Sequence, residues 1–533
     1  MTDAVSTSTT NLLWLADRDR WVSQAQALIP TLHETVVPPV TRIDIVPDAS
    51  ALHGWKSTPN DATLQSLPDT ALGKGDSVTL DFGVHLVGHL RFRIRSDRWF
   101  NDSPVRLRLI FGETLAELAE PFDPYPGELS RAWLQDVQVD VDELPANIHL
   151  SRRYAFRYVR VDIVDTSPQF KVQITDIECV SITSAGPDLG RPPTSADLAA
   201  IDAVSLRTLA NCMQTVFEDG PKRDRRLWLG DLRLQALTNY VSFKNYDLVK
   251  RCLLLHAGLA RTEDGVVPAC IFERPEPAMG HAFILDYTAL FGPTLLDYVT
   301  ASGDIALGEE LWPVAATQID TCLRYVDGTD WLFHDPGNWW LFVDWRADLH
   351  KEASVHAIIV YALRRTAELA RLIGRPAESV DLDTTAESMS VAARRQLRSD
   401  DGLYVSGLDR QVSWATQAWM ILAGIPESQA DASGLFDALA ATPNAVPPAG
   451  PYLWHYVVEA LLACGRTKQA LDLLRSYWGA MVDRGATTFW EVFDPANEYL
   501  SPYNSHLINS YCHAWSCTPA YFLRRHHVDG ASP

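Results

Sequence analysis

The stretch Glu218-Asp219-Gly220-Pro221-Lys222-Arg223-Asp224-Arg225-Arg226-Leu227-Trp228-Leu229-Gly230-Asp231 gathers unusually many groups that could do chemistry. Asp219, Asp224 and Asp231 alternate with four cations around a Gly-Pro pair that disfavours regular helix. Carboxyl groups fixed beside cations on a loop can have their pKa values driven apart, so that one acts as a general acid while a neighbour stays ionised. The same charges would also suit a solvated, salt-bridged connection. A second carboxylate stands in Thr488-Phe489-Trp490-Glu491-Val492-Phe493, where the flanking rings would partly desolvate Glu491. His513, in Ser510-Tyr511-Cys512-His513-Ala514-Trp515, suits a hydrogen-bonded place in the core as well as a ligand contact. Gly337-Asn338-Trp339-Trp340-Leu341-Phe342-Val343-Asp344-Trp345 sets aromatic planes beside hydrogen-bonding groups, a combination that fits the apolar face and hydroxyl rim of a sugar.

The elements that must position these residues are of two kinds. Between about residues 40 and 185 the chain alternates apolar and polar side chains, as in Ser77–Gly83, His89–Ile94 and Val105–Ile110, with further strand-like runs at Trp133–Val141, Tyr154–Val161 and Lys171–Val180. Short alternating strands separated by turn residues predict an antiparallel β-sandwich. The run from Ser184 to Pro193 breaks the pattern and marks a boundary near 190, with Thr194 or Ser195 capping the next helix. The expected domains are therefore 1–190, a β-sandwich with a leading segment, and 191–533, the catalytic domain.

Beyond the boundary the period is helical. Twelve segments can be placed, at about 195–217, 231–245, 247–260, 282–302, 307–326, 350–373, 377–398, 411–423, 427–441, 449–464, 467–485 and 505–523, enough for six hairpins. Long aromatic and polar connections interrupt them at 218–230, 265–281, 328–349 and 486–504. Long connections in a compact domain usually carry function, so the chemistry is expected there.

Composition removes several classes of function. The net charge of −21 argues against a nucleic-acid partner, because binding a phosphate backbone needs concentrated positive charge. No run approaches the roughly 18 apolar residues of a membrane span. The beginning of the chain lacks a basic region followed by an apolar one, which leads to the expectation of a cytoplasmic protein. Eight scattered cysteines, without a CxxC pair, read as buried reduced thiols. No P-loop, dinucleotide fingerprint, HExxH or GxSxG is present, so neither a cofactor nor a metal is expected.

Together these segments resemble the α-L-rhamnosidases of glycoside hydrolase family 78. That family's signature runs Asp-Cys-Pro-x-Arg-(Asp)-Glu, a Trp and then Gly-Asp; here it reads Asp219-Gly220-Pro221-Lys222-Arg223-Asp224, Trp228 and Gly230-Asp231. Thr488-Phe489-Trp490-Glu491 resembles the segment bearing the family's general base, and His513 matches its sugar-contacting His. Leu80-Asp81-Phe82-Gly83 and Phe156–Val161 resemble strands of the preceding sandwich. The resemblance implies a multidomain protein in which an antiparallel β-sandwich precedes an all-α (α/α)6 barrel. It implies an inverting exo-glycosidase for terminal α-L-rhamnose, with a small-molecule rhamnoside as substrate, Asp224 as acid and Glu491 as base. Asp219, Arg223, Trp228, Asp231, Asp344, Trp345 and His513 would hold the sugar.

Two departures stand out. Gly220 replaces the family's Cys, which leaves the chemistry untouched, and Asp224 stands where the family usually has Glu. The shorter side chain retracts the proton donor by about one methylene, so the loop must advance or the acid lies elsewhere; a misplacement of ~1 Å can cost ~100-fold in rate. The readings kept beside the hydrolase are a catalytically weakened rhamnose-binding relative and another inverting barrel glycosidase or phosphorylase. A homodimer is one expectation for an oligomeric state that the sequence leaves open.

Overall fold

The computed structural model describes residues 12–525, so the Ser/Thr-rich beginning and the tail after Arg525 lie outside the described residues. Residues 33–183 form nine strands whose pairings are all antiparallel. Their axis is the strand Ser77–Ser96, which joins into one element the two runs expected at 77–83 and 89–94. Its first half pairs with Tyr154–Asp165 and its second half with Val172–Thr183. The register shifts between Asp81 and Leu86, where Gly83 takes a positive φ of 79°. A bulge of this kind lets one strand turn from one layer to the other, which is how a long strand serves a sandwich. The inward residues Val78, Leu80, Phe82, Leu109, Phe111, Phe156, Val161 and Ile174 close the core of this β-sandwich-like domain.

The strand Val172–Thr183 leads through an irregular segment into the first barrel helix, Ala196–Cys212. Helices then succeed one another to Thr467–Asp483, which packs back against Ala196–Cys212 and closes the ring. One buried apolar cluster runs through them all, from Leu198 to Trp478 and Phe522, as an (α/α)6 barrel requires. Two expected helices differ. The segment 282–302 is split into Leu285–Ala289 and Phe291–Ser302, with Pro293 in the first turn of the second piece, where its missing N–H costs little. The segment 505–523 is no single helix: it forms short 3-10 turns at His506–Ile508 and Ala514–Cys517 before the helix Pro519–Arg525. Between the turns, backbone N–H groups are spent sideways, Tyr511 on Glu113, His513 on Phe489 and Ala514 on Asp219. A helix there would have to withdraw them.

Two features had no counterpart in the sequence pattern. A helix at Arg18–Ala27 precedes the sandwich yet packs on the barrel helix Tyr246–Gly258. Trp21 is fully buried there and donates to Glu310 at 2.6 Å. The strands Leu227–Trp228, Cys270–Phe272 and Ala278–Met279 form a small antiparallel sheet. That sheet fixes the start of the helix Leu229–Tyr240. Among the described residues, no helix is long and apolar enough to cross a membrane, and the eight cysteines are free and buried.

Candidate active site

Three loops, far apart in sequence, are laced together at one end of the barrel. The loop 219–226 follows the helix Ala196–Cys212; Asp219 accepts the N–H of Ala514 through its carbonyl, and Ser510 Oγ donates to the carbonyl of Arg223 at 3.0 Å. Glu491 N donates to Ser510 O at 2.9 Å, His513 N donates to Phe489 O at 2.9 Å, and Trp515 Nε1 donates to Glu491 O at 3.0 Å. A fourth loop, ahead of the helix Glu352–Leu372, is held by buried Asp286, whose two oxygens accept the N–H groups of Phe342 and Val343 at 2.8 and 2.9 Å. The result is a cavity of about 210 Å³.

Its walls contain eight of the nine residues singled out from sequence: Asp219, Arg223, Asp224, Trp228, Asp231, Trp345, Glu491 and His513. Asp344 is the exception: it does not line the cavity, and its Oδ1 is buried without a hydrogen-bond partner. Its side chain is buried behind the wall, with Oδ2 accepting the N–H of Ala449 at 2.6 Å. The loop turns sharply here, with Val343 at a positive φ of 49°, so that Phe342 and Trp345 reach the cavity while Asp344 does not. A larger and more open groove of about 930 Å³ shares only Trp340 with the cavity wall. It holds none of the paired carboxylates, so the chemistry belongs to the smaller space.

The centre of the cavity wall is Arg223. One guanidinium nitrogen donates to Glu491 Oε2, and the other lies 3.5 Å from Asp224 Oδ1. A single planar cation thus touches both carboxylates, as the fork of an arginine permits. Glu491 is gripped a second time by the Tyr503 hydroxyl, which donates to Oε1 at 2.5 Å, while the Arg223 guanidinium lies 4.3 Å from the centre of the Tyr503 ring. Asp224 also has Arg226 at 3.6 Å, and its carboxyl is 16% exposed against 3% for Glu491. One carboxylate is therefore reachable from the mouth and the other is sunk.

The remaining acids are in a different state. Burial, reinforced by the charge of Asp224, pushes Asp219 up to about 8 although it accepts the N–H groups of Arg226 and Asp224. Burial and the nearby Asp219 and Glu491 charges hold Asp231 well above the usual carboxylate range, and burial together with Arg223 holds His513 well below the usual imidazole range. Asp231 and His513 thus face each other 3.7 Å apart, each pushed toward its neutral form. Asp231 Oδ1, His513 Nδ1 and Trp345 Nε1 are buried without a hydrogen-bond partner. Buried polar atoms left unpaired are costly, and three on one cavity wall are ready for the hydroxyls of a ligand. Trp228, Trp340, Phe342, Trp345, Tyr503 and Trp515 supply the apolar remainder.

Leu129, Ile284, Tyr287 and Tyr503 are the cavity residues that sequence reasoning missed. Tyr503 lies in a polar connection, Tyr499-Leu500-Ser501-Pro502-Tyr503-Asn504, where a ring among turn residues was the available signal. Leu129 comes from the sandwich domain, whose Glu128 N–H donates to Tyr503 O at 3.0 Å. Among the described residues, no group of three or more His, Cys, Asp or Glu side chains could hold a metal ion.

The chain matches two family models over nearly its whole length. Residues 39–181 match the glycosyl hydrolase family 78 alpha-rhamnosidase N-terminal domain, and residues 194–527 the bacterial alpha-L-rhamnosidase 6 hairpin glycosidase domain. Among solved structures it is similar to a rhamnosidase from Klebsiella oxytoca with rhamnose bound, at 44% identity and a TM-score of 0.92, covering 96% of this chain and 99% of that one. A family 78 rhamnosidase of Bacillus sp. GL1 shares the fold at 22% identity and a TM-score of 0.69, over 84% of this chain and 46% of that one. An α-L-rhamnosidase from Streptomyces avermitilis complexed with L-rhamnose does so at 15% and 0.65, over 93% and 44%. The chain spans about half the length of these two relatives and nearly the whole of the first. No curated protein sequence matches it. A helical domain that matches over more than half of the chain, joined to the matching sandwich, makes this protein a member of glycosyl hydrolase family 78, and a glycoside hydrolase.

Proposed function

We propose that the protein is an inverting exo-glycosidase that releases terminal α-L-rhamnose from small glycosides. The observation that carries this reading is the single guanidinium of Arg223 touching two carboxylates, one open and one sunk, on the wall of a cavity of about 210 Å³. Asp224, on the open side, protonates the departing glycosidic oxygen. Glu491, oriented by Arg223, Tyr503 and the N–H of Ser510, takes a proton from the water that attacks the anomeric carbon from the opposite face. Inversion needs the two carboxyl groups roughly 6.5–9.5 Å apart, with that water between them. Asp231, His513 and Trp345 bind the ring hydroxyls through their unpartnered atoms. Asp231, pushed by burial toward its protonated form, can donate in that form as well as accept. The rhamnose-bound relative at 44% identity supports the choice of sugar.

A panel of aryl glycosides tests sugar and competence together. The α-L-rhamnoside should be cleaved without added metal or phosphate. Asp224→Asn and Glu491→Gln should each lower kcat by ~100-fold or more while the chain remains folded by circular dichroism. Near-normal turnover in either variant removes that residue from its role. Binding of rhamnose without turnover would favour a sugar-binding relative, and phosphate-dependent cleavage would favour a phosphorylase.

A further inference from the structure

The loop that carries Arg223 and Asp224 is tied from beneath by the other domain. Lys222, the residue before them, is wholly buried, as are its two partners Glu113 and Glu117. Its ammonium lies 3.1 Å from Glu113 Oε2 and 3.2 Å from Glu117 Oε2, and it donates to the carbonyl of Leu507 at 3.3 Å. Both glutamates belong to the sandwich, just after the strand Val105–Gly112, with Glu117 on the short helix Ala116–Ala119.

Neither glutamate is free to follow the loop if the loop moves. Glu117 Oε1 accepts the N–H groups of Glu113 and Thr114 at 3.0 and 3.1 Å. Glu113 is bound by His85 Nε2 at 2.9 Å and by the N–H of Tyr511 at 2.7 Å. That last bond ties the same node to the segment bearing His513. A buried ammonium must sit where its carboxylates are, because an unpaired charge in the interior is strongly destabilising. Residue 222 is therefore fixed by the sandwich, and residues 223 and 224 inherit its place.

We infer that Glu113 and Glu117 of the sandwich domain are positioning residues for glycoside cleavage: through Lys222 they set how far Asp224 is advanced toward the leaving oxygen. The inference rests on the rhamnosidase reading above. It also accounts for how an aspartate can serve where a longer acid is usual, since a pinned loop supplies the reach that the side chain lacks.

The test uses the full chain and two substrates that differ in their need for a proton. A dinitrophenolate leaves unassisted, whereas methoxide must be protonated. In Glu117→Gln, kcat on methyl α-L-rhamnoside should fall ~100-fold while that on the dinitrophenyl α-L-rhamnoside falls about tenfold or less, a gap expected of an acid displaced by ~1 Å. The double variant Glu117→Gln with Lys222→Met removes the ammonium together with one of its carboxylates and leaves Glu113 held by His85 and the N–H of Tyr511, and it should show the same substrate-selective loss even where the single variant folds poorly. Equal losses on both substrates, or no loss in either variant, would overturn the inference while leaving the hydrolase reading intact. A wild-type protein that cleaves neither rhamnoside would overturn both.

Discussion

At the scale of single residues, the site works by giving each acid a different environment. Tyr503 illustrates it: the hydroxyl bonds the sunk carboxylate, so Tyr503→Phe should lower kcat on an aryl rhamnoside by ~10–100-fold, the worth of a hydrogen bond to a charged group, with a smaller change in KM. Asp344 gives the complementary prediction. Burial pushes its carboxyl up to about 7, against ~3.9 in an unfolded chain, so the folded state favours its protonated form. Its contribution to stability is fully present below about pH 4 and is lost as pH rises through 7. Asp344→Asn, which imitates the protonated group, should gain in melting temperature relative to wild type as pH goes from 4 to 8, with kcat within about threefold because the side chain is off the cavity wall. A kcat collapse would restore Asp344 to the site. The acids, Arg223 and His513 were legible in the sequence because charge beside aromatic rings is unusual in a loop. The side to which Asp344 points was not, since that depends on the turn the loop makes at Val343.

At the scale of elements, close backbone approach decides where the loops meet. A Cβ at Gly220 would come within 2.5 Å of Arg223 O, 2.9 Å of Ser510 Oγ and 3.1 Å of Cys512 O. Two of these are backbone atoms of the loops that line the cavity and cannot swing away. Gly220→Ala should therefore cost about 1–3 kcal/mol in unfolding free energy, by denaturant titration, and reduce kcat along with it. An unchanged kcat would show that the loop can give at this point without moving Arg223. Most helices were legible from period alone, and their observed ends shift by a few residues. The segment 505–523 has the composition of a helix but gives its N–H groups to three other segments. Local pattern cannot report a hydrogen bond whose acceptor lies on a different segment of the chain.

At the scale of the whole molecule, the two domains share a core. Ile43, Ile110, Phe122, Leu134 and Tyr158 of the sandwich pack with Leu507 and Ile508 of the barrel. The leading helix Arg18–Ala27 crosses in the other direction. Residues 191–533 produced alone would leave Lys222 buried without its carboxylates, and should be insoluble or inactive; calorimetry of the full chain should show one cooperative transition. Two separate transitions would mean that the shared core contributes little. None of this coupling was visible in the sequence, where the change of period near 190 reads as a clean division.

The central claim is that Asp224 and Glu491 act across a gap that admits a water molecule on the far face of the sugar. The most direct measurement is proton NMR of the sugar released in the first minutes from an aryl α-L-rhamnoside, before the anomers equilibrate. The account predicts that β-L-rhamnose appears first and the α-anomer follows by mutarotation. Initial release of the α-anomer would contradict it, because retention requires a covalent intermediate on one of the two carboxylates.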